Sequence, residues 1–465
     1  GSMRDVGRVY GVDNYRLSVS KLIPKPFGSP VSLTSAAEEV PELEKFSEDF
    51  PQEWKMAVGL EGTMRSYGRH AAGVVVGGEP LMNRAVFETH KDGCPGINWD
   101  KRVVEEFGLV KIDILGLQTL DQIAMCLQYI EESKDEKLDL LRLSLDDERT
   151  MKAFGAGETT GVFQFESAGM RELLRNLAFG GTLSFEDLCA ATSLYRPGPK
   201  ESGLMEDYVA IRQGLKEVYY EHPSMKSAME ETLGVMIYQE QVMRVFTDVA
   251  GFSLSQADHA RKAMGKKDEE KMEALRPRFI AGAAANAELS MDEEAADDLF
   301  NKIIKFAAYG FNKSHAVEYS VISYWTMYLK VYFPQEYFAS SLSIMKEDKL
   351  EALVQNSKEF GIVIMPPDVN ISTDRFELRY PPSGDCHLYA PFNRCKGISE
   401  NGSKAIIKAR EEIGAFTDMA HFRDSVPARL CTSRGMETLE KVGAFASTEP
   451  THIHPLHIDA VTRWS

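Results

Sequence analysis

Two short runs of β-branched and apolar residues, Val74-Val75-Val76 and Leu109 to Leu115, stand between glycines in a chain whose other apolar residues recur mostly with helical spacing. Runs this short, bounded by turn formers, read as buried strands. The periodic stretches Asp121 to Glu132, Met225 to Glu231 and Ser320 to Tyr332 read as amphipathic helices. Strands gathered in one window and helices elsewhere predict an α+β chain rather than a regular alternation of the two.

The 465 residues, 43% of them hydrophobic, suffice for a large core and two to four domains. A helical pattern interrupted by the loop Pro24 to Pro30 predicts a small helical domain over residues 3–60. The strand window follows over 61–118, a mostly helical region over 119–384, and a mixed stretch over 385–446. Residues 447–465 show little periodicity and read as a tail. Gly1-Ser2 ahead of Met3 resemble a cloning remnant.

The net charge of −17 argues against a uniformly basic nucleic-acid coat, though not against positive charge gathered in one groove. The six cysteines form no Cys-x-x-Cys pair, which speaks against a zinc ribbon or a disulfide scaffold and for a reducing cytoplasm. No apolar run is long enough for a membrane span.

In a strand, Lys111 and Asp113 share one face, and Val110, Ile112 and Ile114 point the other way, into a core. A charged pair so placed suits a metal and a phosphate; it equally suits a lone ion pair on a half-solvated strand. The stretch Tyr309 to His315 leads into a long helix, with Gly310 allowing a sharp turn, Ser314 as the expected cap and Lys313 beside the first-turn amides. Such a helix start attracts phosphate, but ordinary capped helices look the same. Arg261-Lys262-Ala263-Met264-Gly265-Lys266-Lys267 is a basic cluster in an acidic chain; it lacks the first glycine and the Ser or Thr of a phosphate-binding loop. Gly68 to Gly73 is basic and glycine-punctuated without matching a nucleotide fingerprint. His-Glu-x-x-His and Gly-x-Ser-x-Gly are absent from the sequence.

Taken in order, these segments resemble the C-family of bacterial replicative DNA polymerases, the DNA polymerase III alpha subunits. The resemblance runs from Arg4 to about Phe445. It rests on Arg4 to Val9, Ser20 to Pro24, Gly68 to Val76, Lys111 to Leu117, Gly161-Val162-Phe163-Gln164-Phe165-Glu166-Ser167, Arg196-Pro197-Gly198-Pro199, Ile237 to Met243, Arg261 to Lys267 and Tyr309 to His315. It implies a nucleotidyltransferase-like palm sheet, present in part over 61–118, between a helical thumb (3–60) and large helical fingers (119–384) that end in a helix-hairpin-helix region (385–446).

By the same resemblance, Asp113 matches a metal-binding aspartate and Lys111 the active-site lysine beside it. Arg196, Asn312, Lys313, Ser314 and His315 match the surface facing the incoming nucleotide. Lys21 and Lys25 of the thumb, with Arg261, Lys262, Lys266 and Lys267, are expected to meet DNA phosphates. The family's chemistry uses two Mg²⁺ ions, primer-template DNA and deoxynucleoside triphosphates.

Its other two catalytic aspartates form an Asp-x-Asp motif, and no Asp-x-Asp occurs in this sequence. The expectation is therefore the C-terminal portion of a split or truncated polymerase, inactive by itself. A companion chain would bring the missing palm half and, through it, contact with a sliding clamp or other replisome proteins. The expected place is the bacterial nucleoid or the cytoplasm of a phage-infected cell. The alternative is a non-catalytic remnant, of phage origin in one version, that binds DNA or a replication protein. Two departures from the family pattern stand out. Ser399 replaces the second glycine of the hairpin Lys396-Gly397-Ile398-Ser399-Glu400, and Ile112 and Ile114 replace aromatics beside the aspartate.

Overall fold

A computed structural model describes residues 1–24, 30–64, 66–265, 269–286, 291–307, 309–382 and 384–448. The chain divides into two compact units, Gly1–Gly116 and the remainder from Leu117. Secondary structure is mixed α and β, with helices predominating.

Among the described residues the first unit opens with five α-helices, Ser2–Val9, Asn14–Leu17, Leu33–Glu39, Pro41–Asp49 and Pro51–Gly59. Pro41 and Pro51 each begin a helix, where a missing N–H costs nothing and a fixed φ is already helical. The helices close on a small core of Met3, Val6, Leu17, Leu33, Leu43 and Phe46.

Two antiparallel pairs of strands follow. β1 (Gly73–Val76) pairs with β4 (Val110–Asp113), and β2 (Phe87–Thr89) with β3 (Pro95–Ile97). The register sets Val74 opposite Ile112, Val75 opposite Lys111 and Gly73 opposite Asp113.

Both expected strands therefore form, but their apolar side chains do not enter a core. Val74, Val76, Val110, Ile112 and Ile114 are all exposed, at 47–66%. The Lys111 side chain is only 15% exposed. Alternation correctly separates the two faces. With only two strands in this sheet, no layer within it covers the apolar one.

Among the described residues the second unit holds four apolar clusters. Phe246, Phe279 and Phe300 centre one; Phe154, Phe165, Leu174, Tyr324 and Met327 another. Cys126, Phe338, Leu353 and Leu388 belong to a third, and Phe392, Ile406, Phe422 and Leu439 to the fourth. The 20-residue helix Lys313–Tyr332, about 30 Å long, runs between two of them: Ala316, Tyr324 and Met327 pack into one and Leu329 into the other. A three-stranded sheet places β7 (Cys386–Tyr389) between β5 (Ile362–Met365), parallel to it, and β6 (Glu377–Arg379), antiparallel. Among the described residues no helix is long and apolar enough to cross a membrane.

Candidate nucleotide and nucleic-acid interface

In the first unit, Gly73 lies opposite Asp113, and the missing side chain leaves space that Lys111 and His70 fill. A methyl group at Gly73 would stand 2.8 Å from Lys111 Cε and 3.0 Å from His70 Nδ1. Lys111 Nζ donates a hydrogen bond to Asp113, and His70 Nδ1 lies 3.5 Å from the same carboxylate. The Lys111 hydrogen bond holds the Asp113 carboxyl below its ordinary value and so keeps it ionised.

These groups give one carboxylate with cationic neighbours, and a divalent ion bound by protein carboxylates wants more oxygen than that. Among the described residues no group of three or more His, Cys, Asp or Glu could hold a metal. The described residues do not by themselves fit a Mg²⁺ pair.

In the second unit, three segments distant in sequence converge at the start of the Lys313–Tyr332 helix. Phe311 bridges to Tyr238 in parallel: Gln239 N donates to Phe311 O at 2.9 Å and Phe311 N to Ile237 O at 3.1 Å. Arg196 comes from the third segment. Its Nη2 donates to Tyr309 O at 2.9 Å, its Nε to Ser193 O at 2.7 Å, and its guanidinium lies 4.4 Å from the Phe311 ring centroid. Gly198 lets that segment approach, since a methyl there would stand 2.4 Å from the Tyr309 ring. Arg196 is thus tied to the loop it positions, and burial lowers its pKa.

The helix start itself departs from expectation in two ways. Asn312 is the N-cap, accepting from His315 N at 3.0 Å; Ser314 is already the second helical residue, exposed, and cannot cap. Gly310 has no left-handed φ. Its role is close packing, with a Cβ meeting Phe306 and Gln239 at 3.0 and 3.2 Å.

The anion position is also filled from within. Glu240 accepts from Lys313 N at 2.9 Å and from Asn312 Nδ2 at 3.0 Å. Lys313 Nζ reaches both oxygens of Glu231, at 2.8 and 2.7 Å. A cleft of about 330 Å³ beside them is lined by Glu230, Glu231, Glu240, Arg244 and Lys313. Neither Glu231 nor Glu240 is singled out by local pattern; they lie 82 and 73 residues from Lys313.

Of the basic cluster, Arg261 and Lys262 both pair with Asp258, at 2.8 Å each, and their hydrogen bonds hold that carboxyl below its ordinary value. Lys21 is exposed on the 3₁₀ turn Ser18–Leu22. Lys25, Lys266 and Lys267 lie outside the described residues.

Three family models match separate parts of the chain. The bacterial DNA polymerase III alpha NTPase domain matches residues 1–116. The bacterial DNA polymerase III alpha subunit finger domain matches 119–287, and a helix-hairpin-helix motif matches 361–453. DNA polymerase III subunit alpha of Yersinia pestis is 39% identical over 97% of this chain and 43% of its own length. Those of Thermus aquaticus and Aquifex aeolicus are 38% and 37% identical over 95% and 94% of this chain, and 36% and 37% of their own. The chain belongs to the bacterial DNA polymerase III alpha family. It spans about two fifths of the length of these relatives.

The helix-hairpin-helix match covers the hairpin where Ser399 replaces a glycine. Ser399 caps the helix Glu400–Ile413, accepting from Gly402 N at 3.1 Å. The glycine before it, Gly397, has φ +93°. Ile398 bridges to Cys431 just ahead of the helix Ser433–Lys441, and Thr438 Oγ1 donates to Lys396 O at 2.8 Å. The hairpin backbone is thus braced by a second turn, with a serine side chain at the helix start.

Proposed function

We propose that this chain forms the primer-template and nucleotide-handling part of a DNA-directed DNA polymerase. Residues 3–60 act as the thumb, 61–118 as the second part of the palm, 119–384 as the fingers and 385–446 as their terminal region. Asp113 is one metal-ligating carboxylate, and Lys111 stands beside it. The two Mg²⁺ ions of the active enzyme would sit between Asp113 and an Asp-x-Asp pair supplied from outside this sequence, on a companion polypeptide. Arg196 and Asn312 to His315 face the incoming deoxynucleoside triphosphate. Lys21, Lys25, Arg261, Lys262, Lys266 and Lys267 face DNA phosphates. The setting is the bacterial cytoplasm.

The observation that carries this reading is the ionised Asp113 on an exposed strand, with Lys111 bound to it and His70 close by, in a chain of this family. Gly73 leaves the space in which Lys111 and His70 approach that carboxylate.

One observation favours the second reading, a non-catalytic remnant that binds DNA or a replication protein. Lys313, the cation assigned to the incoming nucleotide, is already matched by Glu231. A triphosphate would have to displace a carboxylate to reach Lys313.

Primer extension decides between them. The chain alone should extend no primer; together with a separately supplied polypeptide carrying the Asp-x-Asp palm half it should. In that mixture Asp113→Asn should abolish extension, and Lys313→Ala should lower kcat/KM for nucleotide at least ~10-fold, about 1.4 kcal/mol. Extension by the chain alone that survives Asp113→Asn would overturn the assignment of Asp113. A mixture that never extends leaves the non-catalytic reading.

A further inference from the structure

The last turns of the Lys313–Tyr332 helix border a cleft of about 310 Å³ that has no part in the sites above. Lys330, which lines it, stands about 25 Å along the helix axis from Lys313 at 1.5 Å per residue. The helix Glu148–Ala156 forms a second side, and Phe360, just past the helix Glu347–Glu359, a third.

The cleft combines two kinds of surface. Ala153, Met327, Val331 and the Phe360 side chain are apolar. Arg149, Lys152 and Lys330 bring three positive charges, against the single carboxylate of Glu158. Arg149 and Lys152 are exposed: the Arg149 guanidinium lies 5.0 Å from the Tyr332 ring centroid, and Lys152 Nζ reaches Glu148 at 2.6 Å. Lys330 is the buried member, 1% exposed. Two carbonyls, Glu158 O and Thr160 O, accept from its ammonium, which has three protons to donate. Glu158, Glu359 and Glu166 act on it through space only, and Arg171 opposes them. Arg171 itself donates to Thr160 Oγ1 at 3.0 Å, while its Nε is buried with no acceptor among the described residues. A buried cation held by dipoles alone is costly, and an ionic partner offsets that cost. This corner of the fold is short of negative charge where a cleft gives access to it.

We propose that the cleft binds a small organic anion, a carboxylate or phosphate head on a compact apolar body. The head takes up the remaining Lys330 donor as a charge-assisted hydrogen bond, within the field of Arg149 and Lys152. The body covers Met327, Val331 and Phe360. The volume is at the low end for ligand clefts, on the order of ten water molecules, so it suits one ring with its head group. A nucleic-acid strand does not reach an ammonium buried so deeply, which sets this site apart from the DNA-facing cations.

The test uses the full chain with benzoate and phenyl phosphate, which share a ring and differ in the head. Benzyl alcohol lacks the charge and inorganic phosphate lacks the ring. Titration calorimetry should show one of the two aromatic anions binding at one site per chain, at least about ten-fold tighter than either control; which of them binds identifies the head. Lys330→Met should weaken that anion at least about ten-fold. Arg149→Ala combined with Lys152→Ala, both at exposed positions, should weaken it about three-fold and decides the matter if Lys330→Met fails to fold. Benzyl alcohol binding as tightly as the anions would leave only an apolar hollow, and inorganic phosphate binding as tightly would leave only a charged patch; either overturns the proposal. So does the absence of saturable binding by both aromatic anions, or binding that none of the substitutions alters.

Discussion

Lys330 carries an ammonium into the interior of the second unit, where it is 1% exposed. Its Nζ donates to Glu158 O at 2.7 Å and Thr160 O at 2.9 Å, and it lies 5.8 Å from the Phe360 ring centroid. These partners are dipoles and a ring face, so burial dominates and lowers the pKa from 10.5 to about 8. The sign of the linkage follows. Below pH 8 folded and unfolded chains both hold the proton, and the full penalty of a buried charge is present. Between pH 8 and 10.5 the folded chain gives up its proton first, so this group's contribution to stability rises with pH, by something on the order of 3 kcal/mol. Above 10.5 nothing further changes. Urea unfolding of the chain and of Lys330→Met, compared at intervals from pH 7.5 to 10.5, should show the difference moving in favour of the unaltered chain across that window. A constant difference would mean that Lys330 does not titrate there. Nothing in the local sequence marks this residue, which stands between Leu329 and Val331, apolar residues that pack on two different clusters; the carbonyls that accept from it lie about 170 residues away.

At the scale of elements, the position of the Lys313–Tyr332 helix was legible and its start was not. Ser, Thr, Asp and Asn all cap, and Asn312 and Ser314 both stand near the first turn. Only the backbone decides: Asn312 has extended φ and ψ of −74° and 121°, so its side chain points back at His315 N. The bridge from Phe311 to Tyr238 holds the residue just before Asn312 in place. Asn312→Ala should lower stability by about 1 kcal/mol, and more if the Glu240 carboxylate is left short of a donor. Ser314→Ala should change it by no more than a few tenths of a kcal/mol. Thermal unfolding followed by circular dichroism distinguishes the two; equal effects would mean that the cap is not Asn312. The strands tell a similar story. Val74 to Val76 and Val110 to Asp113 were legible as strands because β-branched runs suit a pleated surface. Which face is covered was not legible, since that depends on what lies over the sheet rather than on the strand. The partners of Lys313 were hidden for the same reason: Glu231 and Glu240 are ordinary glutamates until the fold carries them to the helix start.

For the whole molecule, apolar burial is unevenly spread. The second unit keeps its clusters deep within itself. In the first unit, beyond the helical core, Val104 and Leu109 are the buried apolar residues among those described between Thr63 and Gly116. Over the same stretch Val74, Val76, Val110, Ile112, Ile114 and Leu115 are exposed, five of them clustered on and beside the β1–β4 sheet. Two paired strands are marginal without a covering layer. An open apolar face of this kind marks an interaction surface or an aggregation hazard. The proposed palm supplies the occupant, namely the companion polypeptide that carries the Asp-x-Asp pair. Asp113 projects from the same sheet, so covering the apolar side would fix the strand from which it acts. The chain alone should therefore bind an apolar fluorophore such as 1-anilinonaphthalene-8-sulfonate under native conditions. Val110→Thr with Ile112→Thr, which keeps β-branching but adds hydroxyls, should lower that binding without unfolding the second unit. Adding the companion polypeptide should lower it as well, and in proportion to the primer extension it restores. Fluorophore binding that ignores both the substitutions and the companion would place the exposed surface elsewhere, and would remove this sheet as the docking site.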